Sequence, residues 1–342
     1  MSLFDAFKRK KEPGLLGGGV MTGSFYDQFP KSQLFVPRCE YPLWDSDWEH
    51  LGRRRRSVRQ VLKNGSQRQV TRHIFLVRHG QYREDLTESD AKRMLTKKGR
   101  EQAKKTGEWL AEIIRKNNIL TTTAKMKMLS CSSMARAKQT ADIIYSEISS
   151  MYETHNESCE GKDYTEGKKW EPMQRDEPDP LLVEGRPCHH IPSMGEKTSK
   201  DVIAEIDEDW PRMEEAFRKY IARSRWLEEN QGQCVDVEKA KECPVEREHE
   251  YQIIVSHANL IRYLVCRALQ IPPEAWLRLS LFNGSVTYLV IHSTGEVTLR
   301  LFGEIGHMGY DLVTANLYEG FNWDSYEFYK TAIERQEDNE SS

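Results

Sequence analysis

Two short apolar runs, HIFLV at His73–Val77 and IIVS at Ile253–Ser256, are each followed at once by a polar turn that carries a histidine. Arg78-His79-Gly80 follows the first and His257-Ala258-Asn259 the second. Runs this short and this apolar fit strands buried on both faces, the signature of a parallel sheet. Parallel strands end on the same side of their sheet, and open α/β folds hold their ligands just beyond those ends. The pattern thus restricts the chain to an α/β architecture and predicts that two distant histidines share one sheet edge.

The intervening elements alternate as that architecture requires. Thr96 is placed to cap a helix with Ala103, Gly107, Leu110 and Ile114 on its apolar face. Met128–Cys131 reads as a strand, Ala135–Ile148 as a helix, and Met213, Phe217, Tyr220 and Ile221 mark another helix. A further helix runs through Ile261, Val265 and Leu269, with Pro272 and Pro273 placed to stop it. Val286–Ile291 and Val297–Phe302 flank Ser293-Thr294-Gly295-Glu296 as a hairpin. The expected fold is α/β, a three-layer α/β/α sandwich with a mainly parallel central sheet. Residues 1–70, rich in Gly, Pro and charge, read as an arm, 71–308 as the folded domain with the periodic elements and 309–342 as a polar tail. Polar segments near 152–179 and 228–250 read as surface insertions.

Composition excludes several classes. A net charge of −3 over 342 residues argues against a general nucleic-acid or membrane-surface role. The seven cysteines show no zinc-knuckle or redox-dithiol spacing, which fits reduced thiols inside a cell. No apolar run is long enough to span a bilayer, and the opening MSLFDAFKRKKEPGLLGGGV makes a poor signal peptide.

The chemistry gathers at the strand ends. Arg78 offers a planar fork suited to phosphate oxygens. Gly80 permits a tight turn beside a ligand. A neutral imidazole at His79 is a competent nucleophile toward phosphorus. Arg136 falls early in the helix after Met128–Cys131, and Glu184 follows the apolar run Leu181-Leu182-Val183. Each has an ordinary alternative: His257 as a core histidine, Arg136 as a surface residue, Glu184 as the start of a turn. Their joint placement at strand ends points to a phosphate or anion pocket.

RHG at Arg78–Gly80, LTKKGREQAKKTGEWL at Leu95–Leu110, SSMARAKQT at Ser132–Thr140, EG at Glu184-Gly185 and SHAN at Ser256–Asn259 occur in the order of a known family. The chain resembles the histidine phosphatase, or phosphoglycerate mutase-like, superfamily. The stretches RHIFLVRHGQY and VSHANLIRYLVCRALQIPPEAWLRLSLFNGSVTYLVI are most similar to its mitochondrial Ser/Thr protein phosphatases. The resemblance implies a phosphohistidine on His79. Arg78, Arg136 and a protonated His257 would surround the phosphate oxygens. Glu184 would protonate the leaving oxygen and then take a proton from water. No metal or other cofactor is implied; the partners are phosphoproteins, and the location is mitochondrial by resemblance, otherwise cytoplasmic.

The resemblance also implies self-association, as a dimer or higher oligomer, through a WDxxWD-type segment. Here it reads Trp44-Asp45-Ser46-Asp47-Trp48-Glu49, with Glu49 in place of the last Asp. Two tryptophans four apart suit partner anchors, and a packing pair against the catalytic domain is the alternative. The basic run Arg53–Arg56 is either a solvated linker or a dock for acidic groups. The strand after Gly284 is expected to offer a pairing edge. Two other functions compete. One is a phosphoglycerate mutase-type or small-molecule phosphomonoesterase, although Gln81-Tyr82-Arg83-Glu84 departs from the mutase continuation. The other is a scaffold that uses the Trp44–Trp48 segment alone. Gln81 and Asn259 are candidates for tuning the pocket.

Overall fold

The structure, a computed structural model, describes residues 68–84, 89–116, 124–158, 173–190, 200–222, 246–292 and 295–315. All of them belong to the compact unit that begins at Asp45. Trp44, Asp45, Trp48 and Arg53–Arg56 lie outside the described residues, as do most of the arm and of the tail.

Among the described residues one sheet has six strands: β1 (Arg68–Arg78), β2 (Ala124–Cys131), β3 (Gln174–Arg175), β4 (Glu246–Ser256), β5 (Val286–His292) and β6 (Val297–Glu304). Their order is β3-β2-β4-β1-β5-β6. The first four run parallel, while β5 pairs antiparallel with β1, and β6 with β5. The sheet is therefore mixed but mostly parallel. The β5–β6 hairpin forms as its sequence predicts. The pairing-edge expectation is corrected, because β5 is enclosed by β1 and β6, and β6 takes the outer position.

Among the described residues four helices cover the faces: α1 (Lys97–Lys116), α2 (Ala135–Ser158), α3 (Lys200–Tyr220) and α4 (Ala258–Ala268). Side chains alternate across a strand, so β1 feeds both cores. Ile74 and Leu76 pack with Met213 and Phe217 of α3 and with Leu260, Ile261 and Leu264 of α4. Phe75 and Val77 pack with Leu110 and Ile114 of α1 and with Ile144 and Ile148 of α2. Each of these side chains contributes roughly 1.5–3 kcal/mol by burial. This is the three-layer sandwich that the periodicity predicts. Among the described residues, no helix is long and apolar enough to cross a membrane.

Helix ends follow local chemistry. The Thr96 hydroxyl accepts the Gly99 amide at 3.0 Å, the expected cap of α1. The stop of α4 differs from expectation. Gln270 takes a left-handed conformation (φ 56°), the Ile271 amide reaches the Cys266 carbonyl, and the Gln270 amide reaches Arg267. This Schellman closure ends the helix before the prolines. Pro273 instead opens a short 3-10 segment, Pro273–Arg278. The elements also reach into the polar segments: α2 continues to Ser158 and β4 begins at Glu246. Apolar periodicity marks only the buried part of each element, so its polar extension carries no such signal.

Candidate active site

Parallel registry brings the two histidines together. Arg78 pairs with Ser256 across β1 and β4, and the His79 amide donates to the Ser256 carbonyl at 3.0 Å. The His79 and His257 rings lie 4.9 Å apart, centroid to centroid.

The His79 ring is held in one tautomer. Nδ1 lies 2.8 Å from the Gly80 carbonyl oxygen. A carbonyl can only accept, so Nδ1 carries the proton and Nε2 keeps its lone pair. The Arg136 Nε–H donates to that Nε2 at 3.3 Å. Burial, then the charges of Arg78 and Arg136, hold His79 well below the ordinary histidine value of 6.5. The imidazole is therefore neutral and nucleophilic across the physiological range.

Gly80 serves close approach rather than the turn expected of it. A Cβ there would stand 2.4 Å from the Gly99 carbonyl oxygen, and one on Gly99 would stand 1.9 Å from that of Gln81. The RHG loop thus lies backbone to backbone on the first turn of α1. It is tied there by Gln81 N–H to Gln102 Oε1 (2.8 Å) and Thr96 Oγ1 to Gln81 Oε1 (2.8 Å), while the Gly80 amide donates to Thr140 Oγ1 of α2 (3.1 Å). Gly99→Ala must push main chain against main chain. We expect a loss of about 2–3 kcal/mol in stability, read by urea unfolding. A loss below about 0.5 kcal/mol, within the range of ordinary surface substitutions, would show that the contact is slack.

Two arginines frame the nucleophile, and both are almost fully buried (Arg78 5% exposed, Arg136 3%). Arg78 Nη1 donates to the Leu281 carbonyl at 2.6 Å. Burial and the nearby Arg262 lower the Arg78 pKa to about 10, which leaves it charged at neutral pH. Arg136 pairs with Asp90 (Nη1 to Oδ1, 3.2 Å) and lies over the Tyr82 ring at 4.5 Å. The second Asp90 oxygen accepts the Ala135 amide at 2.8 Å, which caps α2 and fixes Arg136 at its base. Tyr82 also meets His79 edge-on at 5.2 Å. Cations crowded into a buried pocket favour a multiply charged anion.

His257 Nε2 lies 2.9 Å from Ser132 Oγ, which already accepts the Met134 amide. The serine hydroxyl is then free to donate to Nε2, which leaves the histidine proton on Nδ1. That Nδ1 is buried with no partner among the described residues, a donor suited to a phosphate oxygen. The expectation of a protonated His257 is corrected. Burial, His79 and the arginines push it well below 6.5, so it enters the site as a neutral donor.

Glu184 follows the 3-10 turn Pro180–Leu182, which Asp179 caps. Its Oε1 accepts the Asn259 amide in the first turn of α4 (3.1 Å) and the Gly185 amide (3.3 Å). Burial raises its pKa, while Arg78, Arg136 and Arg262 pull it back. A carboxyl raised in this way holds its proton more readily than an exposed one and can serve both as acid and as base.

Arg78, His79, Arg136, Glu184 and His257 therefore converge as the sequence predicts. Gln81 and Asn259 support the site from behind: Asn259 donates to the Gly185 carbonyl and accepts from Arg262. Asp90, Tyr82, Arg212 and Arg262 are residues that sequence reasoning missed. Arg262 could have been found, since it lies three residues beyond Asn259 on one helix face. Asp90 sits in a polar stretch with no periodicity, and nothing local marks it.

The model of the histidine phosphatase superfamily (branch 1) matches residues 74–224 and 194–303. The chain is 38% identical over 249 residues to the mitochondrial serine/threonine-protein phosphatase PGAM5 of Xenopus laevis, covering 73% of this chain and 71% of the relative. The human protein of that name is 33% identical over 323 residues, covering 91% and 87%. A crystal structure of phosphoglycerate mutase from Plasmodium falciparum is 26% identical, covering 74% of this chain and 99% of that one, with a TM-score of 0.38. The convergent histidines and arginines at the sheet edge, together with these sequence matches, make the chain a member of the histidine phosphatase superfamily.

Proposed function

We propose that this protein is a metal-independent Ser/Thr protein phosphatase that works through a phosphohistidine on His79 Nε2. One observation carries the mechanism: the Gly80 carbonyl holds Nδ1 and leaves the Nε2 lone pair facing the buried Arg136 guanidinium. On substrate entry Arg136 exchanges Nε2 for a phosphate oxygen. The Nε2 lone pair forms the N–P bond as the P–O bond to the serine or threonine breaks. Glu184 gives its proton to the departing oxygen, whose alkoxide is a poor leaving group without it. Water then attacks phosphorus, Glu184 takes its proton, and the N–P bond breaks to free phosphate and neutral His79. Arg78, Arg136 and the His257 N–H neutralise the equatorial oxygens, where charge sits in a loose transition state. Positive charge thus comes from the chain's own side chains.

The phosphoprotein substrate and the mitochondrial location are carried from the relatives' names. Self-association through Trp44, Asp45 and Trp48 belongs to the same proposal and rests on the sequence segment alone.

The test is phosphate release from a phosphothreonine peptide and from phosphoglycerate, side by side, in chelator. We expect turnover of the peptide with unchanged rate in chelator. Turnover of phosphoglycerate alone would make the protein a metabolic enzyme. Loss in chelator with recovery on adding magnesium would overturn the metal-independent mechanism.

A further inference from the structure

Glu184 stands in a stretch of irregular backbone, outside any helix or strand that would fix the direction of its main chain. We propose that Arg212 of α3 is the positioning residue for Glu184, holding the acid-bearing loop through a clamp completed by Asp209; this rests on the general-acid role given to Glu184 above.

One guanidinium gathers the whole loop. Arg212 Nη1 donates to the carbonyls of Leu181 (3.1 Å) and Val183 (2.8 Å), and Nη2 to that of Glu184 (3.1 Å). Nη2 also pairs with Asp209 Oδ1 at 2.6 Å. The other Asp209 oxygen accepts the Arg186 amide at 2.8 Å, so the loop is held on both sides of Glu184. Gly185 presses directly onto the clamp. A Cβ there would stand 2.3 Å from the Asp209 carboxyl and 2.5 Å from Arg212 Nη2. The Glu184 side chain is then anchored by the amides of α4 and its own loop. Its main chain answers to α3 and its carboxyl to α4, and the pair fixes the direction of proton delivery.

An isolated Arg–Asp pair one turn apart on a half-exposed helix would contribute little. Three carbonyls on one guanidinium are a different arrangement, because only a planar fork reaches them together. Lysine keeps the charge that Arg212 exerts on His257 but not the fork. A shift of about 1 Å in a reacting group costs on the order of 10²-fold in rate.

Leaving-group dependence separates positioning from general damage. The full chain would be assayed as wild type, Arg212→Lys, Glu184→Gln and the double variant. The substrates are p-nitrophenyl phosphate, whose leaving group needs no proton, and a phosphothreonine peptide. Read as kcat/KM, which ends with release of the leaving group and leaves out the later water step, the aryl phosphate should stay within about threefold in Arg212→Lys and the peptide should lose on the order of 10- to 100-fold. Glu184→Gln should show the same selectivity more strongly, and the double variant should be no worse than Glu184→Gln alone. Asp209→Asn, a milder loosening of the clamp, should lose in the same direction. Equal losses of Arg212→Lys on both substrates, or none on either, with Glu184→Gln still selective, would overturn the clamp alone. A Glu184→Gln variant without selectivity would overturn the acid role and the clamp with it.

Discussion

Replacing His79 by alanine should lower phosphate release from a phosphothreonine peptide on the order of 10⁴-fold or more, the scale seen when a nucleophile is removed. The site holds no substitute for it. His257, the neighbouring imidazole, has Nε2 engaged by Ser132, and its ring is tilted 57° to that of His79. It is placed to donate to an oxygen rather than to attack phosphorus. The fold should survive, since the His79 backbone bonds to Ser256 and Gly284 remain. The pH dependence follows from the lowered His79 pKa. Protonation would destroy the nucleophile, but with the value well below 6.5 the neutral form persists as pH falls through 6.5. The kcat/KM profile of the wild type should therefore show no loss near 6.5 attributable to an ordinary histidine. Steady-state release of phosphate and a pH profile would check both. Residual turnover above about one per cent in His79→Ala, far above the loss scale just given, would sink the covalent mechanism and point to direct attack by water.

The second large effect should fall on Arg136. Arg136→Lys should cost about 10²- to 10³-fold in kcat/KM, the range for removing one well-aimed donor from a charge-stabilising site. Lysine restores the charge but reaches fewer partners: the guanidinium here serves Asp90, the His79 lone pair and the face of Tyr82 at once. The loss should be similar for aryl and threonine phosphates, because the phosphoryl oxygens are common to both. That equality distinguishes it from the Glu184 and Arg212 variants, whose losses in kcat/KM depend on the leaving group. Kinetics on the two substrates would measure it, and a loss under threefold on both would show that Arg136 is not aimed at the phosphoryl group.

The five residues on which these expectations rest were legible in the sequence. His79 and His257 each follow an apolar run, and a parallel sheet leaves such residues little choice but to share an edge. Arg136 follows from the position of the strand before it. The continuous apolar run of β1, fit for burial on both faces, likewise agreed with a core on each side of the sheet, and Thr96 announced the start of α1. These features are local, so the order of residues contains them.

What could not be read was set by packing between distant segments. Whether Gly80 served a turn or a contact depended on Gly99, which sits on another element. The stop of α4 came from a left-handed Gln270 rather than from the prolines that mark it in sequence. His257 was read as a cation, and only its burial beside two arginines makes it neutral. Asp90 lies in a segment without periodicity and Arg212 on the polar side of a periodic helix, and each gains its role by reaching side chains and carbonyls elsewhere in the chain. Residue types and spacing thus determined which groups could react, because strand ends and helix starts are local events. The tertiary structure alone decided their protonation and aim, because desolvation and hydrogen-bond geometry exist only once remote segments meet.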